Sequence, residues 1–96
     1  MLEVVSTDDF DKWLRKLKDR QGKLRIVERV DRLAHGNPGD VRPVGQGVSE
    51  MRLTYGPGYR LYFVKRGTVV IVMLCGGDKR SQDADIKRAR NLAKEA

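Results

Sequence analysis

One cysteine and one histidine are all that this chain holds of the side chains most used in redox, nucleophilic and metal chemistry. A lone cysteine cannot close an internal disulfide. Cys75 ends an apolar run with no activating partner beside it, and so reads as a buried structural thiol. One Cys and one His give neither clustered ligand spacing for a metal nor a nucleophile–histidine system, so no metal and no cofactor is expected. His35 falls in the last turn of a predicted helix, where the dipole favours a surface cation. No run approaches the roughly 18 apolar residues of a membrane helix. The opening M-L-E-V-V-S-T-D-D-F lacks the basic stretch and long apolar core of a signal peptide. Gly45-Gln46-Gly47 is no phosphate-binding loop, because no Lys-Ser/Thr follows it. Linkers, repeats and low-complexity segments are absent as well. A cytoplasmic protein making no membrane contact is the expectation, with residues 1–96 as a single domain.

What the chain has in excess is positive charge, a net of +7. Residues 1–41 hold nine Lys/Arg and eight Asp/Glu, whereas residues 42–96 hold eleven and five. Such an imbalance either draws polyanions or merely solubilises a surface. Arg52, Arg60 and Lys79 tip the choice, since they lie on or beside predicted strands that can present them together.

The organising stretch is Glu50–Cys75, three strands joined by two tight turns. Tyr55-Gly56-Pro57-Gly58 makes the first turn and Lys65-Arg66-Gly67-Thr68 the second. Met51, Leu53 and Tyr55 alternate with Glu50, Arg52 and Thr54, the period of a strand with one buried face. Val69 to Cys75 is apolar throughout, which predicts a central strand covered on both faces. Ahead of these, Leu2-Glu3-Val4-Val5 is a short strand. Phe10, Trp13, Leu14 and Leu17 form the apolar stripe of a helix that runs to about Arg20 and is capped by Ser6 or Thr7. Trp13, on that stripe, is a core residue. Gln21-Gly22 breaks the pattern, and a second helix covers about Lys23 to Ala34, giving an antiparallel helical hairpin. Asp40 to Gly47 reads as a loop. Ser81 caps a last helix from about Gln82 to Ala96, with Ile86, Ala89, Leu92 and Ala93 inward. The fold class is therefore α+β: β-α-α-β-β-β-α, a helical hairpin on a mainly antiparallel four-stranded sheet.

The chemistry left to this chain lies in charged residues on neighbouring strands. Glu50 and Arg52 share a face, Arg60 lies across the Gly-Pro-Gly turn, and Lys79 arrives from the loop after the third strand. Such a group suits a phosphodiester, with cations matched to its oxygens. It equally suits a ladder of cross-strand ion pairs, Glu50 with Arg52 or Arg60.

The residues G-P-G-Y-R-L-Y-F (56–63) and the element order resemble the RelE/ParE superfamily of toxins. L-C-G-G-D-K-R-S-Q-D-A-D-I (74–86) is similar to its HigB-like addiction module killer, or phage Gp49-like, branch. The resemblance spans nearly the whole chain. It implies the toxin of a type II toxin–antitoxin system, a metal-independent, ribosome-dependent mRNA interferase. Neutralisation would come from a helix-turn-helix antitoxin of the HigA type, with operator DNA reached only through that antitoxin. By position, the resemblance carries the catalytic roles to Glu50, Arg52, Arg60 and Lys79. Asp78, Gln82 and Asp85 match the branch's own motif, and with Arg80 beside them are expected as RNA-binding or loop-supporting residues. In that setting Glu50 accepts the 2′-hydroxyl proton, Arg60 and Arg52 stabilise the phosphorane, and Lys79 assists the leaving oxygen. The tyrosine or histidine that relatives carry near the C-terminus has no counterpart in Asp83-Ala84-Asp85. The alternatives are a non-catalytic ParE-like gyrase inhibitor and a remnant serving only as the antitoxin's co-repressor.

Overall fold

A computed structural model describes residues Met1–Ala96. Its elements are β1 (Glu3–Ser6), α1 (Asp8–Lys16), α2 (Arg20–Ala34), β2 (Val41–Pro43), β3 (Ser49–Arg52), β4 (Arg60–Arg66), β5 (Val70–Gly77) and α3 (Gln82–Glu95), with one 3-10 turn at Lys79–Ser81. The class is α+β as predicted, but the sheet has five strands, in the order β1-β5-β4-β3-β2. The fifth is β2, within the stretch read as a loop. It pairs antiparallel with β3, Arg42 standing opposite Glu50 and Pro43 opposite Ser49. Proline is tolerated there because β2 is an edge strand with no further ladder to feed. β1 runs parallel to β5; the other neighbours are antiparallel.

The helix boundary also differs from the expectation. α1 stops at Lys16, the chain is extended at Leu17 and Asp19, and Asp19 caps α2 by accepting from the Gly22 amide at 3.0 Å. Gly22 is thus not a breaker but lies in the first turn of α2. A Cβ there would come within 2.7 Å of both the Asp19 carboxylate and the Tyr59 ring, so the glycine serves close approach.

The two faces of the sheet bury different cores. Phe10, Ile26 and Leu33 of the helix pair meet Met51, Leu61, Phe63, Ile71 and Met73 on one side. On the other, Ala89 and Ala93 of α3 lie on Tyr62, Val64, Leu74 and Cys75. β5 is therefore sandwiched, as its unbroken apolar run predicts. Burial pushes the Cys75 thiol up to about 12, in keeping with an inert cysteine. His35 follows α2 directly, and its ring stands exposed beside Asp31.

α3 is tied down by arginines in its middle and at its C-terminal end. Arg90 donates to the Val44 carbonyl and Arg66 to the Ala96 carbonyl. Arg88 reaches Asp9 of α1 at 2.7 Å. At its start Ser81 holds the cap position as expected, but its side chain bonds no helix amide; Asp78 caps the preceding 3-10 turn, accepting from the Arg80 and Ser81 amides. The Ser81 hydroxyl instead donates to Asp85 at 2.6 Å. Because α3 begins only at Gln82, it leaves the outer strands of this face uncovered. That opening is the candidate site.

Candidate functional site

Period-2 alternation sets which side chains enter the opening. Met51, Leu61 and Phe63 point to the helix pair, so Glu50, Arg52, Arg60 and Tyr62 take the other face. Register then aligns them in two rows. Arg42, Glu50 and Tyr62 stand side by side, and Arg52, Arg60 and Gly77 form the next row. Asp40 ends the second row, its carbonyl accepting from the Arg52 amide at 3.0 Å. Together with Gln82 these residues enclose a groove of about 250 Å³ lined by Asp40, Arg42, Glu50, Arg52, Arg60 and Gln82, with no apolar residue among them.

Glu50 is only 3% exposed. Its carboxylate accepts from Arg42 at 2.7 Å, Tyr62 at 2.9 Å and Gln82 at 3.0 Å. Burial by itself would raise its pKa. The three hydrogen bonds and the Arg42 charge outweigh burial and hold the carboxyl below its ordinary value. Burial and the neighbouring carboxylate push the Tyr62 hydroxyl upward, so it remains a donor. The ion pairs are not those expected from sequence. Glu50 takes Arg42, directly across the ladder, and Arg52 takes Asp40 at 2.9 Å.

Arg60 is left over. Its side chain is 7% exposed and makes no ion pair; Nη1 donates to the Gly58 carbonyl at 2.8 Å, and Nε is buried without a partner. Across the ladder it faces another cation, Arg52. A buried guanidinium without a counter-ion is costly, and here it opens onto a polar groove. The arrangement can hold an anion with planar, forked donors.

Of the eight residues singled out from sequence, Glu50, Arg52, Arg60 and Gln82 line the groove. Lys79 does not. Its amide donates to the Pro57 carbonyl, and a Cβ on Gly58 would lie 3.5 Å from the Lys79 Cβ and 3.3 Å from Arg60 Nη1. Lys79 thus sits beside Gly58, which separates it from Arg60. Asp78 is the cap described above, and Arg80 is exposed, 3.9 Å from it. Asp85 lies over Gly77, where any side chain would run into its carboxylate. Burial raises the Asp85 pKa, partly offset by the Ser81 bond. Sequence reasoning missed Arg42, Asp40 and Tyr62. Tyr62 had a usable signal, being two residues from Arg60 on the same strand.

A larger cleft of about 360 Å³ opens between α1, the end of β5 and α3, past Trp13 and Tyr59. Its buried end is internally paired, Arg88 with Asp9 and Asp85 with Ser81, and its free cations, Lys12 and Lys16, stand on the α1 side. The arginine groove is distinguished by holding a buried guanidinium that makes no ion pair, Arg60.

The family model described as "Phage derived protein Gp49-like (DUF891)" matches residues 12–95. A protein of Haemophilus influenzae (strain Rd), described only as uncharacterized, is 45% identical over 94 residues, covering 98% of this chain and 95% of that relative.

Proposed function

The chain belongs to the Gp49-like family, a toxin-like family of the HigB/RelE kind, and from that premise we propose that it is a toxin that cleaves ribosome-bound mRNA without a metal ion. The observation that carries this reading is Arg60, a buried guanidinium with no counter-ion, opening onto a groove that also holds Arg42 and Arg52. A phosphodiester supplies the missing negative charge. The 2′-hydroxyl oxygen attacks the adjacent phosphorus and the 5′-oxygen leaves, giving a 2′,3′-cyclic phosphate and a 5′-hydroxyl end. Arg60 and Arg52 hold the two non-bridging oxygens as charge grows on them.

Glu50 enters this scheme in two steps. In the free protein its acceptors are filled. Arg42 is the most exposed of its partners, its side chain 61% exposed, and is the one a phosphate draws away. Its departure frees Oε1 to take the 2′-hydroxyl proton, and burial then makes the carboxylate a stronger base. General base help of this kind contributes typically 10²–10⁴-fold. Lys79, beside Gly58 and so near Arg60, donates a proton to the leaving 5′-oxygen, which departs as the 5′-hydroxyl.

A toxin-like family implies an antitoxin partner in general; we assign it the helix-turn-helix type, which alone contacts operator DNA. The test is to express the chain without that partner and sequence RNA 5′-hydroxyl ends. Cuts within translated codons, lost in Arg60→Ala, are expected. Normal RNA ends together with blocked DNA supercoiling would overturn the reading in favour of gyrase inhibition.

A further inference from the structure

A second cluster of arginines lies on the opposite face of the sheet, beside the end of β3. α2 presents Arg25, Arg29 and Arg32 at i, i+4 and i+7, one helix face spanning roughly 10 Å at 1.5 Å per residue. With Thr54 and Tyr55 they line a cleft of about 180 Å³. The Arg25 guanidinium stands 4.5 Å over the Tyr55 ring. Arg29 is fixed by donating to the carbonyls of Arg52 and Pro38, at 3.0 and 3.1 Å, and its Nε is buried without a partner. The single acid in the cleft is Glu28, which meets Arg32 only at 3.9 Å with both side chains exposed, a contact worth little in water. Burial and the Arg32 charge both lower the Arg29 pKa, so this cluster too carries positive charge in excess of its partners.

We propose that this cleft is a second contact for single-stranded RNA, with Arg25, Arg29 and Arg32 holding phosphates and Tyr55 offering its ring to a base. The proposal rests on the reading of the arginine groove as an RNA site and extends it. Two features favour RNA over an acidic peptide. Cations interleaved with an aromatic ring are the usual means of holding a flexible single strand. The two clefts are also joined by one hydrogen bond, because Arg29 of the second grips the backbone carbonyl of Arg52, whose side chain lines the first. A strand leaving Arg60 over Arg52 reaches α2 by rounding the end of β3, where Leu53, Thr54 and Tyr55 follow Arg52.

The experiment uses the full chain and a short fluorescent single-stranded RNA, 2′-O-methylated so that it cannot be cut, with anisotropy read over a salt series. The double variant Arg25→Gln/Arg32→Gln, both residues exposed, is expected to fold and to lower the slope of log K against log salt by about 1.4, at about 0.7 per phosphate contact. Tyr55→Leu, which keeps apolar bulk, is expected to weaken binding at every salt concentration with the slope unchanged. An unchanged slope in the double variant overturns the second contact while leaving the groove's reading intact. Loss of poly-glutamate binding with RNA binding unaffected overturns it in favour of a peptide site. If the unaltered chain binds no RNA, both readings fall together.

Discussion

Replacing Arg60 by methionine separates the cost of the proposed site from its use. In the free protein Arg60 has a buried Nε without a partner and faces Arg52 across the ladder. An unpartnered buried donor costs about 1–3 kcal/mol. Exchanging buried charges for apolar side chains of similar volume is often neutral or stabilising by about 1–4 kcal/mol. Against this stands the bond from Nη1 to the Gly58 carbonyl, worth about 1 kcal/mol net. Gly58 is half-buried, so water can take that acceptor over. Arg60→Met is therefore expected to stabilise the free chain by about 1 kcal/mol, a rise in Tm of about 4–8 °C at this size. With uncleavable RNA at a hundredfold excess over Kd the order reverses. The unaltered chain then gains about 2.7 kcal/mol, and the variant gains little. Thermal unfolding followed by circular dichroism, with and without that RNA, reads both halves. A variant less stable than the parent by more than about 1 kcal/mol, and still stabilised by RNA, would make Arg60 a structural residue and refute the argument.

Three further outcomes follow from other contacts. Arg42→Ala removes a hydrogen bond and a charge that hold the Glu50 carboxyl down in the free protein, leaving only Gln82 and Tyr62 against burial, so its pKa rises; a base works only when deprotonated, so the acid limb of the kcat/KM–pH profile, which reports the free enzyme, should move to higher pH, and an unmoved limb would exclude Glu50 as the proton acceptor. Asp85 has a raised pKa, so its ionised form opposes folding at neutral pH and that opposition fades as pH falls through the raised value; Asp85→Asn should therefore resist urea better than the parent at neutral pH, with the difference closing toward pH of about 4. Gly76→Ala would drive a Cβ into the ring of Trp13, an overpacking expected to cost about 1–3 kcal/mol; Trp13 is the only tryptophan, so intrinsic fluorescence should shift with the stability.

The fold was legible wherever a pattern ran long enough to count. The stripe from Phe10 to Leu17, the apolar run before Cys75 and the two glycine turns each imply one element. β2 was not, because its three residues are too few for a period and one of them is proline. The true cap of α2 was hidden for a different reason. Asp19 and Gly22 act as a pair with Tyr59, whose hydroxyl donates to Asp19 at 2.8 Å from far along the chain. Candidate site residues on β3 and β4 could be named from spacing, but their partners could not. Glu50 was as near in sequence to Arg52 as to anything, yet ladder register sets Arg42 opposite it and Asp40 beside Arg52. Register depends on which strands are neighbours, and the neighbour here was the strand that went unread.

Register also explains why charge collects at one end of a sheet that is otherwise dry. A slip of one residue in β3 would turn Met51, wholly buried among the helix-pair core, to the face now held by Glu50. The apolar residues therefore hold the polar ones in place. On that polar face coverage depends on α3, whose fully buried residues, Ala89 and Ala93, are small enough to bring the helix close over β4 and β5. Its first residue, Gln82, reaches only as far as Glu50. Tyr62 lies under the helix, fully buried, and Arg60, two residues earlier on the same strand, lies where the cover ends. One strand thus passes from a closed core to an open groove within two residues, and the guanidinium at that boundary is desolvated by the core while its charge is left for a ligand to match.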